Sequence, residues 1–155
     1  MAIEAPLSKY KKHNLWIAIA VLLGLAGWFA YDGYISKSFQ QEHTELNDAG
    51  EEVPDSSLAF NRKSPPFFLA GGLLVAGYYL LIKGKKIVAG EKSIVLPGRE
   101  IEYDSIEKIN KTYFDKKGYF ILTYKNGDKD VEVKLSDRNY DNLPAILDEL
   151  VKQIS

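Results

Sequence analysis

Histidine and cysteine, the side chains that most often carry catalysis or hold metals, are scarce in this chain of 155 residues. It contains two histidines, His13 and His43, and no cysteine. The lack of cysteine excludes disulfides, thiolate metal ligands and thiol nucleophiles together. A long apolar run separates the two histidines, so we expect them on opposite sides of a membrane and not in one metal site. There is also no nucleophile elbow and no phosphate-binding glycine loop. The sequence therefore predicts a protein that is not an enzyme and has no cofactor.

Many of the carboxylates lie in one polar segment, residues 32–64, between two apolar runs. They are Asp32, Glu42, Glu45, Asp48, Glu51, Glu52 and Asp55. Their spacing is not that of an EF-hand calcium loop, and scattered acids of this kind usually form a solvated loop. Gly50 and Pro54 are typical of irregular chain. We expect an acidic extracytoplasmic loop without a metal, with one helical run inside residues 36–46 or an extension of the preceding helix through Phe39.

Two uncharged apolar runs, residues 14–31 and 65–82, are each about long enough to cross the hydrocarbon core of a bilayer as a helix. At 1.5 Å per residue the first run gives roughly 27 Å of helix, and flanking aromatic residues extend it. Pro65 and Pro66 begin the second run, where their missing amide hydrogens do no harm to a helix. The absence of charge within both runs argues against a proton relay, an ion pathway or a transporter.

A cleaved signal peptide is the competing interpretation of the first run, since Lys9, Lys11 and Lys12 precede it. The run is longer than the roughly 7 to 15 residues of a signal-peptide core. Trp28 also occupies a position where a cleavage site before Tyr31 needs a small residue. We therefore expect the run to remain attached as an anchor.

Lysines flank the outer ends of the two runs. Lys9, Lys11 and Lys12 precede the first, and Lys83, Lys85 and Lys86 follow the second. The connecting segment has only Lys37, Arg62 and Lys63 against its many acids. The positive-inside rule then predicts that both termini are cytoplasmic, in a bacterial inner membrane. The second set could also hold the following domain near anionic lipid at about 1 kcal/mol per charge, although orientation alone accounts for it.

Small residues recur four apart within the two runs. The helix-packing candidates are Ala20 with Gly24, Ala26 with Ala30, and Gly72 with Ala76. Such pairs let helix backbones approach closely, either within the hairpin or against partner helices. The alternative is that they only reflect the high frequency of Gly and Ala in membrane helices.

The C-terminal part changes from continuous apolar runs to alternating ones, which indicates half-buried strands. We expect strands at residues 86–89, 93–96, 100–103, 106–113, 119–125 and 130–135. Short turns such as Asn126-Gly127 make the sheet antiparallel and meander-like. A final helix carries one apolar stripe, which is Leu143, Ile146, Leu147, Leu150, Val151 and Ile154. Asp141 or Asn142 can cap this helix, and Pro144 is acceptable in its first turn.

About six or seven short strands, one C-terminal amphipathic helix and two membrane spans resemble small bacterial membrane proteins with a pleckstrin-homology-like domain. The resemblance rests on residues 89–96, 101–109 and 118–135 and the final helix. It implies a β-barrel or sandwich capped by the helix, and a binding or assembly role. Eukaryotic relatives use a basic loop between strands for phosphoinositides. Here the turn between the first two predicted strands holds only Gly90, Glu91 and Lys92, so we do not predict headgroup recognition at this turn.

The sequence as a whole predicts an α+β membrane protein with a two-helix transmembrane hairpin. Its parts are a cytoplasmic tail (1–13), a first span (14–31), an acidic loop (32–64), a second span (65–82) and a cytoplasmic domain (83–155). The expected function is a membrane-anchored module that presents its domain to a protein partner. The alternative is a structural accessory subunit held in a larger complex by its helices. We expect the bilayer and other membrane subunits as partners, and no nucleic acid or small-molecule substrate.

Overall fold

A computed structural model describes residues 2–155 of the chain. Contacts divide the chain into two compact units. One, which we call the sheet unit, joins the residues up to His13 with Leu80–Ser155. The other, the helical unit, is Asn14–Tyr79. The fold is α+β, with two long apolar helices and antiparallel sheets, as the sequence predicts.

The helical unit contains more regular structure than its sequence predicts. In chain order its elements are α1 (Lys9–Ala30) followed by a π-helical turn (Tyr31–Ile35), α2 (Lys37–Glu42), β2 (Thr44–Leu46), β3 (Glu52–Pro54), α3 (Ser56–Lys63) and α4 (Pro65–Ile82). Two of these helices, α1 and α4, extend a few residues beyond the bounds of the helical unit. The predicted helical run after the first span is confirmed as α2, but the β2–β3 hairpin is not predicted. Its turn is closed by the Asn47 side chain, which accepts hydrogen bonds from the amides of Ala49 and Glu51, both at 2.9 Å.

Two helical stretches, Lys9–Ile35 and Ser56–Ile82, are long and apolar enough to cross a membrane by length and composition. Each has 27 residues, or about 40 Å at 1.5 Å per residue. The second stretch begins well before the predicted start at Pro65. Hydrogen bonding continues across the prolines, because the Ser64 amide bonds to the Phe60 carbonyl at 2.8 Å and the Ser64 carbonyl accepts from the Phe68 amide at 3.2 Å.

The sheet unit has seven strands in two antiparallel sheets. They are β1 (Ile3–Pro6), β4 (Lys86–Ala89), β5 (Ser93–Leu96), β6 (Arg99–Glu102), β7 (Ile106–Asn110), β8 (Tyr119–Asn126) and β9 (Lys129–Ser136). The orders are β1-β4-β5-β6 and β7-β8-β9, so in the described residues the strands form two sheets and not one closed barrel. The six predicted strands are confirmed, although the one predicted at 106–113 ends at Asn110, where a turn leads into α5 (Phe114–Lys117).

The first strand of the sheet unit lies before the apolar helices, where the sequence pattern predicts only a tail. β1 pairs with β4 from Ile3↔Ala89 to Pro6↔Lys86. Ala5 is fully buried in the core beneath this pair. The strand is short and ends in a proline, which is acceptable at a sheet edge but weakens the strand signal in the sequence.

One hydrophobic core joins both sheets to the last helix, α6 (Leu143–Ile154). Phe120 and Leu122 from β8 are fully buried against the apolar stripe of α6 and the first sheet. The stripe is confirmed at Leu143, Ile146, Leu147 and Leu150, but its last two predicted members, Val151 and Ile154, are exposed. Asn142 occupies the cap position of this helix, one of the two predicted, but it has φ +62° and its side chain makes no capping bond.

Candidate functional site

Helix α1 begins on the sheet unit at Ser8, a fully buried serine. Its hydroxyl donates to the carbonyl of Arg138 at 2.5 Å and accepts from the Lys11 amide at 3.1 Å. The Ser8 amide donates to the Asn139 carbonyl at 2.9 Å. Ser8 therefore caps the first turn of α1 and at the same time ties that turn to the segment that follows β9.

The same segment holds the next residues of α1. One carboxylate oxygen of Asp141 accepts from the Lys9 amide at 3.1 Å, and the Lys11 ammonium donates to the Asn139 side-chain oxygen at 3.2 Å. A carboxylate at a helix N-terminus also interacts favourably with the helix dipole. We call the contact of Ser8, Lys9 and Lys11 with residues 138–141 the junction. Ser8 precedes a helical run and so carries a cap signal that the predicted start of the first span at residue 14 misses, but no local pattern indicates Asp141.

Replacing Ser8 with alanine is expected to destabilise the sheet unit by about 1–2 kcal/mol, because it removes a helix cap and leaves the Arg138 carbonyl without the hydroxyl that donates to it. Thermal unfolding of the detergent-solubilised chain measures the effect. Ser57→Ala is the matched control, since Ser57 is exposed and its side chain makes no hydrogen bond within the described residues. Equal unfolding temperatures for the two variants would contradict this role of Ser8.

The basic set that follows α4 lies beside the junction. Lys83, Lys85 and Lys86 are all exposed, and the Lys85 carbonyl accepts from the Leu7 amide at 3.2 Å. Lys86 forms an ion pair with Glu4 at 2.5 Å. In residues 2–155, Lys83 and Lys85 have no carboxylate partner, so they are the members of the set with free charge.

Four of the six helix-packing candidates, Ala20, Gly24, Gly72 and Ala76, fall into two groups in the helical unit. Gly72 is buried, and a Cβ built on it would lie 2.8 Å from a methyl carbon of Leu23, while Ala76 is half-buried. Ala20 and Gly24 are exposed, and a Cβ on Gly24 would meet nothing within 4 Å. Close approach within the hairpin therefore uses Gly72, and the Ala20–Gly24 face is open.

A close backbone approach in the helical hairpin is at Gly33, which the sequence pattern does not single out. A Cβ at this position would lie 2.8 Å from the carbonyl oxygen of Asn61. The neighbouring polar groups also bond across the helices: Arg62 Nε donates to the Gly33 carbonyl at 3.0 Å, and the Tyr34 hydroxyl donates to the Arg62 carbonyl at 2.8 Å. Polar contacts therefore hold the two helical stretches together at the loop end, and apolar packing holds them together along their length.

An aspartate–histidine pair organises the segment between the helices. Asp55 Oδ2 lies 2.7 Å from His43 Nδ1, and Asp55 Oδ1 accepts from the Leu58 amide at 2.8 Å, which caps α3. The hydrogen bond from the Leu58 amide, followed by that from His43, lowers the pKa of Asp55 below its ordinary value of 3.8. The carboxylate therefore stabilises this segment above that value, and the stabilisation is lost as the pH falls through the lowered pKa.

Asp55→Asn is expected to remove this acid dependence, since asparagine can still accept from the Leu58 amide but does not titrate. In the native chain the Leu58 amide resonance should move with a midpoint below pH 3.8. NMR titration of the detergent-solubilised chain from about pH 6 to pH 2 follows that resonance through the range in which carboxylates titrate. A midpoint above 3.8, or the same titration in the variant, would contradict the assignment.

No protein-family model, curated protein or solved structure matches this chain. Within residues 2–155, no group of three or more His, Cys, Asp or Glu side chains is placed to hold a metal ion. The features that stand out are the junction, the hairpin with its open small-residue face, and a cluster of cations described below.

Proposed function

We propose that this chain is a membrane-anchored assembly protein, in which two helices cross the cytoplasmic membrane and the sheet unit binds a protein partner at the cytoplasmic surface. The exposed apolar surface of the helices supports the anchor. Leu74 is 75% exposed, and Phe67 and Leu81 are each 77% exposed. Large apolar side chains in such number are stable when lipid or another protein covers them.

The pairing of β1 with β4 is the observation that carries this proposal. β1 precedes the first apolar helix and β4 follows the second, yet Pro6 and Lys86 are partners in one ladder. A chain that crosses a bilayer twice between two paired strands must return to the side from which it started. The lysines at that side, among them Lys12 and Lys83, favour the cytoplasm.

The architecture of the sheet unit supports the resemblance to a pleckstrin-homology-like domain. One antiparallel sheet of four strands is followed by one of three strands, and an amphipathic helix follows both. Unlike a domain formed by one continuous segment, the sheet unit has the helical hairpin inserted after its first strand. By this resemblance the sheet unit is a binding module, and the edge strands of its two sheets, which are β1, β6, β7 and β9, are the candidates for pairing with a partner.

Membrane anchoring and topology are tested with full-length chain that carries a reporter behind Ser155. We expect the chain to stay in the pellet after alkaline extraction of membranes, and the reporter to be active only on the cytoplasmic side. A chain released by alkali, or a reporter active on the outer side, would refute the anchor or its orientation.

A second function, an accessory subunit held by its helices, is favoured by the open face at Ala20 and Gly24. Photo-crosslinking residues placed singly in native membranes separate the two functions. Crosslinks to another protein from Glu132 on β9, but not from Gly24, support the assembly module. Crosslinks from Gly24 alone support the accessory subunit. A probe at the buried Ile19 is the control, since its side chain is only 7% exposed.

A further inference from the structure

We infer that a cationic cavity in the sheet unit binds the phosphate-bearing headgroup of an anionic lipid. The cavity has a volume of about 320 Å³. We define the cationic cavity by the six residues that line it, which are Lys116, Lys117, Tyr119, Lys134, Ser136 and Arg138. They come from α5, the adjoining ends of β8 and β9 and the segment that follows β9, at a place separate from the turn between β4 and β5.

The charge of the cationic cavity is not balanced within the described residues. Four of its six lining side chains are cations and none is a carboxylate. In residues 2–155, none of these four cations forms an ion pair. The nearest acids along the chain are Asp115 on α5 and Asp137, whose carboxylate folds over Gly118 while its amide bonds to the Gly118 carbonyl at 2.8 Å. Like charges that share one cavity repel each other, so an anion that enters it gains from all four.

Two tyrosines hold the lysine side chains in place without neutralising them. Lys134 Nζ lies 3.8 Å from the centre of the Tyr119 ring, and Lys117 Nζ lies 4.9 Å from that of Tyr113. The two rings stack with centres 5.5 Å apart. A cation over an aromatic face is attracted to the ring but keeps its full charge and its N–H donors for a ligand.

The position of the cationic cavity favours a lipid over a soluble anion. The carbonyl of Arg138 accepts from Ser8, the cap of α1, and Arg138 also lines an adjoining cavity with Asp137 and Tyr10 from the first turn of α1. The inference rests on the membrane anchor proposed above, because that anchor places the first turn of α1 at the level of the lipid headgroups. A cationic side chain near such a surface contributes about 1 kcal/mol with anionic lipid.

The test is lipid retention by the full-length chain in dodecyl maltoside, measured by native mass spectrometry with dioleoyl phosphatidylglycerol and dioleoyl phosphatidylcholine. We expect one phosphatidylglycerol bound per chain, at least about tenfold more tightly than phosphatidylcholine. The variant Lys134→Gln/Arg138→Gln should lose about tenfold in affinity for phosphatidylglycerol. The matched control, Lys92→Gln/Lys129→Gln, removes two exposed charges elsewhere on the sheet unit and should bind as the native chain does.

Three results would overturn the inference. They are equal binding of the two lipids, equal losses in the two double variants, and displacement of phosphatidylglycerol by about 10 mM inorganic phosphate, which would assign the cavity to a soluble anion. The alkaline extraction described above reports on the anchor by a separate measurement. A chain that resists extraction but shows no preference for phosphatidylglycerol therefore refutes the headgroup site and leaves the proposed function standing.

Discussion

Replacing Ala5 with aspartate is expected to unfold the sheet unit, although the two apolar helices separate Ala5 from the other strands of that unit along the sequence. The side chain is fully buried in the core, and Ala5 pairs with Ile87 of β4. An aspartate there places an unpaired carboxylate in an apolar site, at a cost of more than about 3 kcal/mol. That loss is a large part of the roughly 5–15 kcal/mol that stabilises a typical domain.

Ala2→Asp is the matched control for this prediction, because it introduces the same side chain at an exposed position of the same segment. Limited proteolysis of solubilised full-length chain measures the result. We expect cleavage within the C-terminal residues, such as the β8–β9 turn at Gly127, to accelerate at least about tenfold in Ala5→Asp. Equal cleavage of the two variants would show that β1 is not needed for the fold.

Gly33→Ala is expected to loosen the helical hairpin. Its Cβ would lie 2.8 Å from the Asn61 carbonyl oxygen, and since that oxygen belongs to the backbone the helices must separate. Overpacking of this kind costs about 1–3 kcal/mol. Gly27→Ala is the control, because a Cβ on Gly27 meets nothing within 4 Å and alanine is a better helix former by up to about 1 kcal/mol.

Hairpin stability should therefore fall in Gly33→Ala and stay the same or rise in Gly27→Ala. The chain has no cysteine, so an engineered pair gives a signal without background. Phe29→Cys with Phe68→Cys, joined by a flexible bifunctional thiol crosslinker, is suitable, since the two phenylalanine rings lie in contact across the hairpin, with centres 5.4 Å apart. We expect crosslinking to slow in Gly33→Ala and to stay the same or quicken in Gly27→Ala. The same rate in both variants contradicts the close approach at Gly33.

The regular elements of this chain are largely predictable from local pattern. Alternating residues locate β8 and β9, and the 3.6-residue spacing from Leu143 to Leu150 locates the buried face of α6. Both signals are local, because each arises from one element with one buried face. The β2–β3 hairpin escapes prediction for the converse reason: its strands have three residues each and are mostly exposed.

The junction and the first strand are not predictable in the same way. The bond from Ser8 to Arg138 joins residues 130 positions apart, and that from Lys9 to Asp141 joins residues 132 apart. No local pattern encodes such a partner, so Asp141 looks like a cap for the helix that follows it. The spacing of small residues likewise indicates which faces of the apolar helices can pack closely. It does not distinguish Gly72, which packs within the helical hairpin, from Gly24, which is exposed.

The separation of β1 from β4 has a consequence for the order of events during synthesis. The ribosome makes β1 first, but its partner emerges only after both apolar helices have been translated. In the proposed topology β1 remains unpaired until both helices have entered the bilayer and β4 has been synthesised on the same side. A molecule in which only one of the two helices crosses leaves β1 on the opposite side of the bilayer from its sheet, so the sheet unit can be completed only after both helices have crossed.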